Sequence, residues 1–186
     1  MTVKDALAEA QQKMDKAIEV AHEDMADIRT GRAHAGMFSK IMVDYYGAPT
    51  PLQQLASFQT PEARTMLVTP YDKGAMGAIE KALRDSDMGA NPSNDGNVIR
   101  IVMPELTAER RKEYIKLAHT QGEEAKVSIR HVRRHAKDTI DKLVKDGEVG
   151  EDDGTRGEKE LDALTRRYTD TVDTLLKHKE AELSEV

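Results

Sequence analysis

Residues 107–145 read TAERRKEYIKLAHTQGEEAKVSIRHVRRHAKDTIDKLVK, and their spacing decides the fold. Ile115, Ala118, Gly122, Ala125, Ile129, Val132, Ala136, Ile140 and Leu143 recur at steps of three and four, as one stripe of a helix requires. Thr107 stands where a capping residue belongs, so the spacing predicts a helix of close to 40 residues, about 60 Å long. One apolar stripe on so long a helix calls for partners. A second stripe, Val3, Leu7, Ala10, Met14, Ala17, Ala21, Met25 and Ile28, predicts a helix of about seven turns. Thr2 and Asp5 are spaced as a reciprocal cap, and Thr30-Gly31 reads as the stop. A third stripe runs through Leu161, Leu164, Tyr168, Val172, Leu175, Leu176 and Leu183. The run from Asp146 to Gly154 reads as a break, too glycine-rich and acidic to continue either neighbour. Three such helices predict a three-helix bundle.

Between Gly31 and Pro104 the pattern changes. Five of the seven aromatics (Phe38, Tyr45, Tyr46, Phe58, Tyr71) and all six prolines fall there or at its edge. β-leaning runs stand at residues 41–46, 57–60, 65–69 and 98–103, with one short helix at about 74–86 and a turn signal at Asn94-Asp95-Gly96-Asn97. The expected division is 1–30 with 105–186 as the bundle and 31–104 as an inserted α+β domain. Both links of the insert join the same bundle, so its expected motion is a hinge about paired crossings.

The 186 residues carry 28 basic and 34 acidic side chains, a formal charge of −6, with 33% charged residues and 4% aromatic. The absence of Cys excludes disulfides, cysteine-ligated zinc, iron-sulfur clusters and thiol catalysis. No apolar window reaches bilayer length, and Lys4 and Asp5 interrupt any signal-like start, so a cytoplasmic protein is expected. The negative total hides a local excess: residues 109–145 hold eleven basic against six acidic side chains, residues 146–186 six against thirteen, and residues 31–104 seven of each. At 100° per residue, Lys126, Arg130, Arg133, Arg134 and Lys137 fall in one arc of about 100° beside the apolar seam. Guanidinium forks suit phosphate oxygens, and with no aromatics interleaved the face suits backbone recognition of folded RNA better than base stacking.

Other constellations carry less. His131 and His135 have the i, i+4 spacing of a helical metal pair, but lack a nearby Glu and sit among arginines that repel a cation. Asp85 with Asp87, and Asp152 with Asp153, are read as solvated surface and not as acid–base pairs. Gly74-Ala-Met-Gly77 lacks the Lys-Ser/Thr of a phosphate loop and is read as the start of the insert's helix. No Gly-x-Ser-x-Gly elbow exists for a hydrolase. Arg29 and Arg32 flank one crossing and Arg110 and Arg111 follow the other.

At this point a resemblance is specific. Residues 28–33 (IRTGRA), 43–47 (VDYYG) with Pro51-Leu52, 61–64 (PEAR), 86–89 (SDMG) with Asn91-Pro92, 99–101 (IRI), 106–112 (LTAERRK) and 127–134 (VSIRHVRR) resemble, in order and spacing, bacterial ribosome recycling factor. The resemblance covers the whole chain. It implies an L-shaped α+β protein, an elongated three-helix bundle with an inserted β/α/β sandwich domain. It further implies a monomer that binds large-subunit rRNA of the post-termination ribosome and, with elongation factor G and GTP, separates the subunits and releases mRNA and tRNA. No cofactor of its own is expected, GTP being used by elongation factor G, and neither catalysis nor a membrane. Arg29, Arg32, Arg110, Arg130 and Arg133 match the family's rRNA-contacting arginines; Arg111, Lys126, Arg134 and Lys137 extend that set. Thr30, Gly31, Arg32, Pro104 and Glu105 mark the expected hinge. His131 replaces the usual Asn and His135 the usual acidic residue, which makes the charge of that face pH-dependent. Two rivals are a helical adapter, which needs an exposed apolar stripe, and a small carboxylate hydrolase in the insert, which no constellation supports.

Overall fold

In the computed structural model, residues 1–28, 30–86 and 91–184 are described. The chain forms two compact units, Met1–Ile28 with the chain from Glu109, and Arg29–Ala108.

The first unit is built from α1 (Val3–Ala26), α3 (Ala108–Lys145) and α4 (Glu151–Ser184). The capping box opening α1 is present: the Asp5 N–H donates to Thr2 Oγ1 at 3.1 Å and the Thr2 N–H to Asp5 Oδ2 at 3.0 Å. Helix α1 stops at Ala26, one turn before the expected Thr30-Gly31. Ala6, Ala10, Met14 and Ala21 of α1 meet Ala125, Ile129, Ala136 and Ile140 of α3 and Leu161, Leu164 and Val172 of α4 in one core. The alanines of α1 let its axis approach that of α4 closely, replacing bulk with backbone proximity along that pair. Tyr168 of α4 ties the edge by donating its hydroxyl to Asp15 of α1; burial first, and then that carboxylate, pushes the phenol's pKa up.

The start of α4 corrects the sequence reading. Gly154, read as the end of the break, lies buried inside the helix, as does Gly157 one turn on. A Cβ at Gly154 would stand 2.5 Å from Val144 Cγ2, and one at Gly157 2.5 Å from Val3 Cγ1. Both glycines are contact surfaces, for the end of α3 and the start of α1. The real break is shorter, turning at Gly147 with φ +73°, and Glu151, Asp152 and Asp153 occupy the first turn of α4, where negative charge is favoured by the helix dipole.

The second unit is α+β. Strands β3 (Ala56–Glu62), β4 (Thr65–Pro70), β6 (Ile99–Val102) and β5 (Pro92–Asn94) form an antiparallel sheet in the order β3-β4-β6-β5. Helix α2 (Met76–Asp85) lays Met76, Ile79 and Leu83 into a core shared with Val43, Leu52, Met66, Val68, Ile99 and Ile101, with Phe38 stacked on Phe58 at 5.5 Å. Gly74 belongs to the 3-10 turn that leads into α2. A separate hairpin pairs β1 (Met42–Tyr45) with β2 (Ala48–Pro51). Strands β2 and β5 lie outside the β-leaning runs expected from the sequence and carry Pro49, Pro51 and Pro92. Each proline sits in an outer strand, where a missing N–H costs no ladder bond.

Candidate nucleic-acid interface

The five cations of the α3 arc divide into two sets. Lys126 Nζ lies 2.5 Å from Asp173 Oδ1, and the Arg133 guanidinium places Nε and one terminal nitrogen each 2.7 Å from Asp162 Oδ1. Lys137 Nζ is 2.8 Å from Asp141 Oδ2 and 4.0 Å from Glu158 Oε1; Asp141 first, and Glu158 after it, holds this ammonium above its ordinary pKa. All three are half-buried along the seam with α4, while Arg130 and Arg134 are exposed and pair with no carboxylate among the described residues.

The seam follows a rule. His119 pairs with Glu180, Lys126 with Asp173, Arg133 with Asp162 and Lys137 with Glu158, numbers rising on α3 as they fall on α4. That is an antiparallel ladder. His119, Lys126 and Arg133 recur every seven residues, the repeat at which a helix presents side chains along one neighbour. A wheel of α3 alone assigns all five cations to one face because it omits the acidic charge of α4. The heptad spacing of His119, Lys126 and Arg133, set against Asp173 and Glu180 seven apart, was the signal available in the sequence.

Arg130 and Arg134 are one turn apart, with exposed His131, His135 and Val127 around them. Two guanidiniums so spaced offer two forks to adjacent phosphates, and neither has a carboxylate partner among the described residues. Arg133 reaches a phosphate only by exchanging Asp162, whose exposure makes that exchange cheap.

Of the remaining expected residues, Arg110 is exposed and Arg111 half-buried in the first turn of α3, and Arg32 is exposed within the second unit. Arg29, Asp87 and most of the 86–89 motif lie outside the described residues. Thr30 and Gly31 are buried, Gly31 with φ +80°. Both crossings are fastened to one loop of the second unit: the Ala33 N–H donates to the Ala63 carbonyl at 2.8 Å, the Met103 N–H to the Arg64 carbonyl at 2.7 Å, and Glu105 pairs with Arg64 at 3.5 Å. Residues 61–64 were matched as a motif but given no role, because the Ala63 and Arg64 carbonyls that accept these bonds leave no side-chain signature; only the Arg64–Glu105 pair does.

Among the described residues no group of three or more His, Asp or Glu is placed to hold a metal ion, and no helix is long and apolar enough to cross a membrane. The exposed large apolar residues of α3 are Leu117 and Val127, ten positions and about 80° apart. They form no stripe.

A family model described as ribosome recycling factor matches residues 21–183. Ribosome-recycling factors of Renibacterium salmoninarum and Arthrobacter sp. are 65% and 67% identical over 184 residues, each covering 99% of this chain and 100% of the relative; that of Streptomyces avermitilis is 67% identical over the same length. Among solved structures, a ribosome recycling factor in solution superposes with a TM-score of 0.81 at 38% identity, covering 100% of this chain and 99% of the other. A second, at TM-score 0.69 and 42% identity over 98% of this chain and 99% of the other, is a Thermus thermophilus ribosome recycling factor described together with Escherichia coli elongation factor G on the E. coli post-termination complex. The chain belongs to the ribosome recycling factor family.

Proposed function

We propose that this chain binds the post-termination ribosome through α3 and, driven by elongation factor G with GTP, separates the subunits and frees mRNA and tRNA. Its family, matched along the whole length, supports the reading, as does the relative described on the post-termination complex with elongation factor G. The observation that carries the residue-level reading is the exposed pair Arg130 and Arg134 on a 38-residue helix, with no carboxylate partner among the described residues. Arg130 and Arg134 make the first phosphate contacts with large-subunit rRNA; Arg29, Arg32, Arg110 and Arg111 extend the contact toward the crossings. Lys126, Arg133 and Lys137 contribute by sharing or exchanging their α4 carboxylates.

The GTP chemistry belongs to the partner, and the chain performs no catalysis, needs no cofactor and acts as a cytoplasmic monomer. Thr30, Gly31, Arg32, Pro104 and Glu105 serve as the hinge, with the fastening at Ala63 and Arg64 keeping the insert's end of each crossing rigid. Co-sedimentation with bacterial ribosomes at two salt concentrations tests the binding step: binding should fall steeply at the higher salt, as counterion release demands. Salt-independent binding would favour the adapter reading instead.

A further inference from the structure

The β1–β2 hairpin breaks a local rule in a place that ribosomal RNA binding through α3 does not use. Two-residue hairpin loops with positive φ at both positions favour Asn-Gly or Asp-Gly. Here Tyr45 pairs with Ala48, and the loop between them is Tyr46-Gly47, with φ of 50° and 85°. Tyr46 is the only non-glycine at positive φ among the described residues, a conformation that a bulky side chain adopts at a steric cost. No core packing compensates, because Tyr46 is 77% exposed.

Three further features hold that exposed ring still. The Tyr46 hydroxyl donates to Asp72 Oδ2 at 3.1 Å, and the Tyr45 hydroxyl donates to the same oxygen at 2.9 Å. Asp72 is itself fixed, its Oδ1 accepting the Gly74 N–H at 2.8 Å. Gly74 lacks the Cβ that would stand 2.8 Å from the Tyr46 hydroxyl oxygen. The two rings meet edge to face, 4.6 Å apart at 72°. Strain, a shared carboxylate and a missing Cβ therefore all place one aromatic face in solvent, an arrangement suited to recognition.

Its chemistry selects the partner. Aromatic faces are negative and attract cations, and a phenol that donates to a carboxylate has a more electron-rich ring. Three donors on Asp72 leave one of its roughly four acceptor directions open. A base would bring its phosphates toward Asp72 and toward Asp44, which caps the Gly47 N–H at 2.9 Å. No cation of this chain pairs with Asp72 among the described residues. We propose that Tyr46, with Tyr45 and Asp72, is a docking site for an arginine or lysine side chain presented by a basic protein segment. A guanidinium laid on the Tyr46 ring also donates to the open lone pair of Asp72.

The test uses the full chain, isotope-labelled, titrated in an NMR tube with a capped Gly-Arg-Gly peptide, its citrulline counterpart and a short single-stranded RNA. The arginine peptide should shift the Tyr45 and Tyr46 rings and the Gly47 and Gly74 amides saturably at millimolar concentration. Citrulline, which keeps the shape and loses the charge, should shift them at least fivefold less. Tyr46→Asn installs the preferred loop residue, so the protein should melt no lower than the parent while losing the arginine response. Asp72→Asn should weaken the response as well, and Tyr46→Phe should retain part of it. Equal shifts from arginine and citrulline, arginine shifts that avoid these residues, a response surviving Tyr46→Asn, or a response to the RNA alone would each overturn the proposal. None of these readouts involves ribosomes, so they stand or fall apart from the recycling function.

Discussion

Replacing Arg130 and Arg133 separately by Ala should give different results, although the two lie on the same arc of α3. Arg130 is exposed and touches no carboxylate among the described residues, so Arg130→Ala removes nothing that holds the bundle together. It should leave melting unchanged and cost ribosome affinity the value of a charge-assisted hydrogen bond, about 1.5–3 kcal/mol, or roughly 10- to 150-fold in Kd. Arg133 is bound to Asp162 through two nitrogens at 2.7 Å, with its side chain 33% and that of Asp162 52% exposed. Breaking so exposed a pair costs only about 0.2–1 kcal/mol of stability, since Asp162 remains in water. Its affinity loss should be smaller than that of Arg130→Ala, because the wild-type arginine must first give up Asp162. Asp162→Asn should therefore tighten binding by freeing Arg133. The assay is co-sedimentation across a salt series, in which losing one phosphate contact reduces the slope of log K against log salt by about 0.7–0.9. Arg130→Ala with wild-type affinity and slope, or Asp162→Asn with weaker binding, would refute the division of the arc into free and engaged cations.

Gly154→Ala gains helix propensity of about 1 kcal/mol but drives a Cβ to 2.5 Å from Val144, an overpacking cost of about 1–3 kcal/mol. Chemical denaturation should show net destabilisation, relieved in Gly154→Ala with Val144→Ala. Gly122→Ala has only ordinary contacts at 3.7–3.8 Å and should be neutral or stabilising in the same assay. Thr2→Ala removes the capping box and should cost about 1 kcal/mol, seen as a lower melting temperature. Asp72 is held below the ordinary carboxylate range by the Gly74 N–H first and then by the two tyrosine hydroxyls. Its contribution is therefore complete above the unfolded carboxyl pKa of about 4 and is lost as pH falls through the lower folded value. Melting curves below pH 4 should fall less steeply for Asp72→Asn than for the parent.

The parts of the fold that rest on one helix at a time were legible in the sequence. The stripes of α1, α3 and α4 follow from periodicity, and the Thr2–Asp5 box follows from two residues three apart. What depends on a neighbour was not. Gly154 and Gly157 look like breakers until Val144 and Val3 are seen against them. Pro49, Pro51 and Pro92 argue against strands until each is seen in an outer strand, where the missing N–H is harmless. The candidate interface shows the same limit: Arg130, Arg133 and Arg134 were identified from one helix's wheel, but only packing against Asp162 and Asp173 separates engaged cations from free ones. The insert's place in the chain followed from the change of pattern between Gly31 and Pro104, whereas the assignment of Arg29, Arg32 and Arg110 as rRNA contacts came from the resemblance, since no periodicity encodes it.

If α3 delivers this chain to the ribosome, recycling depends on the guanidiniums of Arg130 and Arg134. Light scattering of post-termination ribosomes mixed with the chain, elongation factor G and GTP tests it most directly. The wild-type chain should produce a rapid fall in scattering as subunits part, with no fall when either elongation factor G or GTP is left out. Arg130→Ala with Arg134→Ala should slow the fall at sub-saturating concentration and approach the wild-type rate as concentration rises. Splitting by the double variant at the wild-type rate across all concentrations, or no splitting by the wild-type chain at saturation, would contradict the account.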